Sequence, residues 1–128
     1  MISKFKITVG IENTSRQIEL LCDNEAISIT LKLDNQPPKT YIDKNFYKCF
    51  GLLRKDNSHI TFFCKGSKIN VHPSSMSSQM SLGLKAYELT PGMEASMEDL
   101  VFIFDYDNEN LTNCPEEQKD FFLNWLKS

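Results

Sequence analysis

The sequence of 128 residues has no long apolar run, only two histidines and no closely spaced pair of cysteines. Without a stretch of about 18 apolar residues, a transmembrane helix is excluded. The spacing of cysteine and histidine does not match a metal site, and the phosphate-binding pattern G-x-x-x-x-G-K-[ST] is absent. We therefore predict no catalytic residue, no metal and no cofactor from motifs alone.

The first residues, Met1–Lys6, alternate apolar and polar side chains and lack the continuous apolar stretch of a signal peptide. They are typical of a first β-strand, and we expect a cytoplasmic protein. Each of the four cysteines lies in or beside a hydrophobic segment. In a reducing compartment such cysteines are expected to be free, buried thiols.

Charge is distributed unevenly along the chain, although the net charge is only −3. Residues 1–84 carry a balance of +4, whereas residues 85–128 carry three lysines and ten acidic residues, a balance of −7. Such asymmetry is typical either of a partner surface or of a solvated acidic face. The sequence pI of about 5.4 and the lack of a basic stripe disfavour nucleic-acid binding.

The apolar pattern predicts a single α+β domain over residues 1–128. Alternation over residues 4–11, 18–22 and 27–33 predicts an antiparallel meander. One helix is predicted around residues 44–55, where apolar residues recur every three or four positions and Asp43 or Asn45 can cap the start. A second is predicted around residues 115–127, where Pro115 opens the helix and four inward-facing residues are Phe121, Phe122, Trp125 and Leu126.

Two further features are predicted between these helices. Residues 59–64 and 69–73 are expected to form a hairpin with Gly66 and Ser67 at its tip, which places Cys64 and His72 on opposite faces. Residues 100–104 are five consecutive apolar residues, typical of a central strand buried on both faces.

The Ser/Met-rich segment of residues 74–82 between these two features is predicted to be a loop or a short helix. Met76 and Met80 are four residues apart, so they are expected to anchor one helical turn to the core. A methionine-rich surface that adapts to partners is the alternative.

One stretch of the chain, residues 64–104, carries a recurring set of residues. They are Cys64, Gly66, Asn70, Val71, Pro73, Ser74, Met76, Met80, Gly83, Ala86, Tyr87, Leu89, Thr90, Gly92, Ala95, Asp99, Leu100, Val101, Ile103 and Phe104. In these residues the chain resembles a family of small bacterial proteins of unknown activity. The resemblance implies a bacterial source and assigns no activity. By analogy alone, small acidic bacterial proteins of this kind suggest immunity partners of toxins.

Two functional hypotheses follow. The first is a non-catalytic protein-binding domain, in its specific form an immunity protein that neutralises a basic bacterial toxin. An acidic C-terminal surface would steer and select such a partner, with an aromatic anchor of the kind interfaces favour. The predicted contact residues are Asp105, Tyr106, Asp107, Glu109, Glu116 and Glu117.

The second hypothesis is a small ligand-binding protein or enzyme that uses the hairpin and the serine-rich segment, residues 64–75. No acid–base pair elsewhere in the chain is positioned to work with this cluster. The candidate residues are Lys65, Asn70, His72, Ser74 and Ser75.

Overall fold

The computed structural model describes all residues from 1 to 128 and has an α+β architecture of eight strands and three α-helices. The strands are β1 (Ile2–Ile11), β2 (Thr14–Asp23), β3 (Ser28–Leu31), β4 (Lys39–Ile42), β5 (Thr61–Phe62), β6 (Val71–His72), β7 (Lys85–Glu88) and β8 (Leu100–Phe102). The helices are α1 (Phe46–Asp56), α2 (Ser75–Ser81) and α3 (Pro115–Leu126).

The larger sheet has the antiparallel order β4-β3-β2-β1-β5, which confirms the predicted N-terminal meander. Alternation along β1 explains its two faces, because Ile7 and Val9 are buried while Lys4 and Lys6 are exposed. The third strand ends at Leu31, two residues before its predicted end, and β4 was not predicted at all.

Helix α1 covers the inner face of this sheet and confirms the helix predicted around residues 44–55. Asn45 is its N-cap, and its side chain accepts a hydrogen bond from the Lys48 amide at 2.8 Å. The predicted apolar stripe is fully buried in a 19-residue hydrophobic core that draws on both sheets. The stripe consists of Phe46, Cys49, Phe50 and Leu53.

The predicted hairpin of residues 59–73 is wrong. Its two arms belong to different sheets, because β5 pairs with β1 and β6 pairs with β7. Between them Lys65–Ser67 form a 3-10 turn inside the molecule. A Cβ on Gly66 would lie 2.7 Å from the Ile103 Cβ. Glycine is therefore needed here for close packing and does not form an exposed hairpin tip.

The structure has three helices and not the two predicted, because residues 75–81 form α2, the short helix that was one of the two alternatives for residues 74–82. Ser74 caps it in a reciprocal pair of hydrogen bonds with Ser77. Ser77 is the buried residue of the helix, whereas Met76 and Met80 are 67% and 82% exposed. The methionines therefore do not anchor α2 to the core.

The smaller sheet has the order β6-β7-β8, so β8 is an edge strand and not the predicted central one. Residues Leu100–Phe102 are half-buried, and only Ile103 and Phe104, which follow the strand, are buried in the core. Five apolar residues in a row did not distinguish a two-sided strand from a short edge strand that leads into the core.

Helix α3 confirms the helix predicted around residues 115–127, but its burial differs from the prediction. Gln118 is its one fully buried residue. Phe121, Phe122 and Trp125 are half-buried and Leu126 is exposed, so the helix lies on the surface. None of the three helices has the length and apolar character that crossing a membrane requires.

Candidate functional site

The acidic loop, residues 105–110, is held rigidly against the 3-10 turn by backbone hydrogen bonds. The Lys65 amide donates to the Asp105 carbonyl at 2.8 Å, and the Ile69 amide donates to the Asn110 carbonyl at 2.7 Å. The Tyr106 ring stacks on Phe63 with ring centroids 5.9 Å apart. The backbone of this loop and the Tyr106 ring are therefore presented to a partner in one arrangement.

Three of the six predicted contact residues are exposed in the acidic loop and free of ion pairs. Asp105 and Glu109 are exposed, and neither carboxylate forms a salt bridge. Tyr106 lies between them and is 59% exposed. The structure therefore brings two uncompensated carboxylates and one aromatic ring together on one surface.

Asp107 lies in the same loop but points into a charge network. Its Oδ2 accepts hydrogen bonds from Lys68 Nζ at 2.8 Å and Lys65 Nζ at 3.0 Å. Glu88 completes the network, 3.5 Å from Lys68. Partial burial raises the pKa of Asp107, but bonds from Lys68, the Glu109 amide and Lys65 outweigh it, so the pKa lies well below its usual value.

The last two predicted contact residues are engaged by neighbouring side chains. Lys55 donates to Glu116 at 3.0 Å and holds the pKa of that carboxyl down at about 2. Thr112 donates its hydroxyl proton to Glu117 at 2.6 Å. Asp107, Glu116 and Glu117 are therefore less available to a partner than the three exposed residues of the acidic loop.

Of the five residues of the alternative ligand site, His72 and Ser74 line one groove, whereas Lys65, Asn70 and Ser75 do not line it. Lys65 belongs to the charge network with Asp107, and Ser74 is used as the cap of α2. Asn70 donates to the Leu89 carbonyl at 3.2 Å, while its own Oδ1 is buried without a partner. Ser75 is exposed on the first turn of α2.

His72 is the one member of this group with an environment suited to binding. Its ring stacks on Phe122 at 4.0 Å, nearly parallel, and its Nδ1 lies 2.8 Å from the Pro73 carbonyl oxygen. The Nδ1–H tautomer donates to that oxygen. Burial and the nearby Lys48 lower the pKa of His72, so the ring is neutral at pH 7.

Three of the four thiols are poor nucleophiles in this fold. Cys22, Cys49 and Cys64 are buried, and burial raises the pKa of each, to about 12 for Cys22 and Cys64 and to about 11 for Cys49. Cys64 lies in the core, whereas His72 packs between Tyr47 and Phe122. Cys64 and His72 are therefore separated because they lie in different parts of the fold, and not because they point to opposite faces of a hairpin.

A shallow apolar groove that the sequence did not predict lies beside His72. We call it the Met76–Trp125 groove; its volume is about 300 Å³. Strand β7, helix α2, helix α3 and the loop of residues 89–96 form its walls. Its lining includes the side chains of Met76, Tyr87, Leu89, Ala95, Phe122 and Trp125.

Trp125 fixes the geometry of this groove. Its Nε1 donates to the carbonyl oxygens of Thr90 and Met93, both at 3.0 Å, and ties α3 to the turn that follows β7. The Tyr87 hydroxyl lies 3.9 Å from the Met97 sulfur. One signal for this surface was present in the sequence, because four of the five methionines lie within residues 76–97.

Comparison with known proteins adds no family to this description. No protein-family model matches the sequence, and a search of curated proteins finds no significant match. The resemblance of residues 64–104 to a bacterial family therefore stays a prediction.

Proposed function

We propose that this chain is a non-catalytic protein-binding domain whose acidic C-terminal surface binds a basic protein. The observation that carries the proposal is a run of 33 residues, 86–118, that contains nine carboxylates and no lysine, arginine or histidine. Six of these nine carboxylates form no salt bridge in the structure, whereas Glu88, Asp107 and Glu116 are paired with lysines from outside the run. Unpaired carboxylates attract a basic partner and disfavour an acidic one.

The acidic loop is the centre of this proposed surface. Asp105 and Glu109 remain unpaired there, and Tyr106 offers a large, rigid side chain between them. Interfaces favour tyrosine because it buries much area at a low entropic cost. Asp107 supports the surface from within, since its bonds to Lys65 and Lys68 fix the loop.

In its specific form the proposal is that of a bacterial immunity protein that neutralises a basic toxin in the cytoplasm. Free thiols support a reducing compartment, because all four cysteines are unpaired. The ligand-binding alternative is less favoured, since Lys65 and Ser74 are committed to structural contacts. A toxin gene beside the gene for this chain would support the specific form.

The proposal is tested by reversing the two unpaired charges of the acidic loop. The variant Asp105→Lys/Glu109→Lys and the wild type are each immobilised and exposed at low salt to a lysate of the source organism. We expect the wild type to retain one dominant basic protein. The variant should bind this protein at least tenfold more weakly, because the lysines at positions 105 and 109 repel it.

The matched control is Glu12→Lys/Glu25→Lys, which changes the net charge equally on exposed turns of the larger sheet. The control is expected to bind the same protein like the wild type. Equal recovery by all three proteins would contradict the proposed surface. Circular dichroism of each variant establishes that the fold is unchanged.

A further inference from the structure

The Met76–Trp125 groove combines an apolar floor with a rim that contains exposed methionines. Its floor is apolar and includes the buried Leu89 and the half-buried rings of Phe122 and Trp125. Its rim is rich in methionine: Met76 lines it, and Met97, next to the Tyr87 hydroxyl, is 74% exposed. Thioether side chains are flexible and polarisable, so they adapt to apolar partners of varied shape.

The charges of residues 93–98, beside the groove, have one sign. No lysine, arginine or carboxylate lines the groove itself, and Lys48, which acts on His72, lines the neighbouring groove. Glu94 and Glu98 are exposed on either side of the rim segment that contains Ala95 and Met97, and neither forms a salt bridge. An apolar floor with an uncompensated acidic rim complements a segment that is apolar on one side and cationic on the other.

A second groove shows that this charge pattern is local. It lies between α1 and α3, has a volume of about 420 Å³ and shares His72 and Phe122 with the first. Lys48 and Lys119 line it together with Asp43, so its lining has a net positive charge and the sign of the charge changes across the His72–Phe122 stack. A cationic segment is therefore directed to one groove and away from the other.

We infer that the Met76–Trp125 groove binds a basic amphipathic segment of a partner protein, with the apolar side chains of that segment on Phe122 and Trp125 and its cations at Glu94 and Glu98. This inference rests on the proposed protein-binding role and adds to it a second contact region and the chemistry of its ligand. The acidic loop and the groove then contact two parts of the same basic partner.

The only tryptophan of the chain reports directly on this groove. The probe is a synthetic amphipathic peptide of leucine and lysine that contains no aromatic residue, added to the full chain. Its matched control has glutamate in place of each lysine. We expect the lysine peptide to shift the Trp125 emission saturably and in a salt-dependent way, and the glutamate peptide to leave it unchanged.

Two variants locate the binding. Met76→Ser/Met97→Ser removes apolar rim contacts, and Glu94→Gln/Glu98→Gln removes the rim charges; all four side chains are exposed, so the fold is retained. We expect each variant to raise the Kd of the lysine peptide about five- to tenfold. Ile42→Ser, at an exposed apolar site in β4, is expected to leave the Kd unchanged.

The inference is overturned if both peptides bind equally well, or if neither shifts the Trp125 emission. It is also overturned if the free chain forms a dimer that Met76→Ser/Met97→Ser dissociates, because a second copy would then occupy the groove. Binding of the lysine peptide that leaves Trp125 unchanged but is weakened by Asp105→Lys/Glu109→Lys would overturn the groove and leave the proposed function standing.

Discussion

Replacement of Arg54 by alanine is expected to lower the free energy of unfolding by about 3 to 5 kcal/mol. Arg54 is 0% exposed, and no carboxylate pairs with it. Its Nη2 donates to Gln118 Oε1 at 2.7 Å, and its Nε donates to the Thr112 carbonyl at 3.1 Å. The substitution opens a cavity beside Phe50 and leaves both oxygens unpaired.

This effect extends beyond α1 because Gln118 continues the network. Its Nε2 donates to the carbonyl oxygens of Gly66 and Lys68, at 2.9 and 2.8 Å, so Arg54 and Gln118 connect α1, α3 and the 3-10 turn. Urea denaturation measures the loss. Arg16→Ala, which removes only an exposed pair with Asp34, is the control and should cost less than about 1 kcal/mol.

An Arg54→Met variant separates volume from hydrogen bonding. It fills most of the space and loses only the polar contacts, so we expect a smaller cost of about 2 kcal/mol. Stability of Arg54→Ala within about 1 kcal/mol of the wild type would contradict the role assigned to this network.

Replacement of Asp107 by asparagine is expected to cost about 3 kcal/mol at pH 7. Lys68 is only 4% exposed, and the substitution leaves its charge with Glu88 alone, at the longer distance of 3.5 Å. Removing one partner of a buried pair is costly because the other charge is already out of water. Thermal unfolding followed at several pH values measures this contribution.

The pH dependence has a definite sign. The pKa of Asp107 is lowered in the folded protein, so its contribution is complete above the ordinary carboxyl pKa of about 4 and is lost as the pH falls toward the lowered value. The stability difference between wild type and Asp107→Asn should therefore be constant from pH 7 to about 5 and shrink below about 4.

Asp105→Asn is the matched control for this experiment. It changes a neighbouring carboxylate that is exposed and unpaired, so its stability should stay within about 0.5 kcal/mol of the wild type at every pH. A difference for Asp107→Asn that grows in acid would contradict the network described here.

Sequence periodicity predicted the parts of the fold in which one face is buried over several residues. The meander and the stripe of α1 are of this kind, since Ile7, Val9 and Phe50 repeat with the period of their elements. Periodicity did not predict residues 59–73, because Gly66-Ser67 has the composition of an exposed hairpin tip but lies in a buried 3-10 turn. Glycine is needed there for contact with Ile103, and such long-range packing leaves no local pattern.

The candidate site was predicted in part. Composition located the acidic surface, but it could not show that Asp107 is paired with Lys65 and Lys68, because these residues are far apart in sequence. The Met76–Trp125 groove was missed, since Met76 was assigned to the core. Met76 is exposed because Ser77 is the residue of α2 that faces the core. Ser77 is small, and no apolar stripe in the sequence marks this buried face of the helix.

Hydrogen–deuterium exchange of the full chain, with and without the captured basic protein, tests the central claim most directly. A contact through the acidic C-terminal surface predicts slower exchange at the backbone amides of residues 104–110, with β1 to β3 unchanged. Protection confined to the strands between residues 2 and 31, with residues 104–110 exchanging as in the free chain, would contradict it.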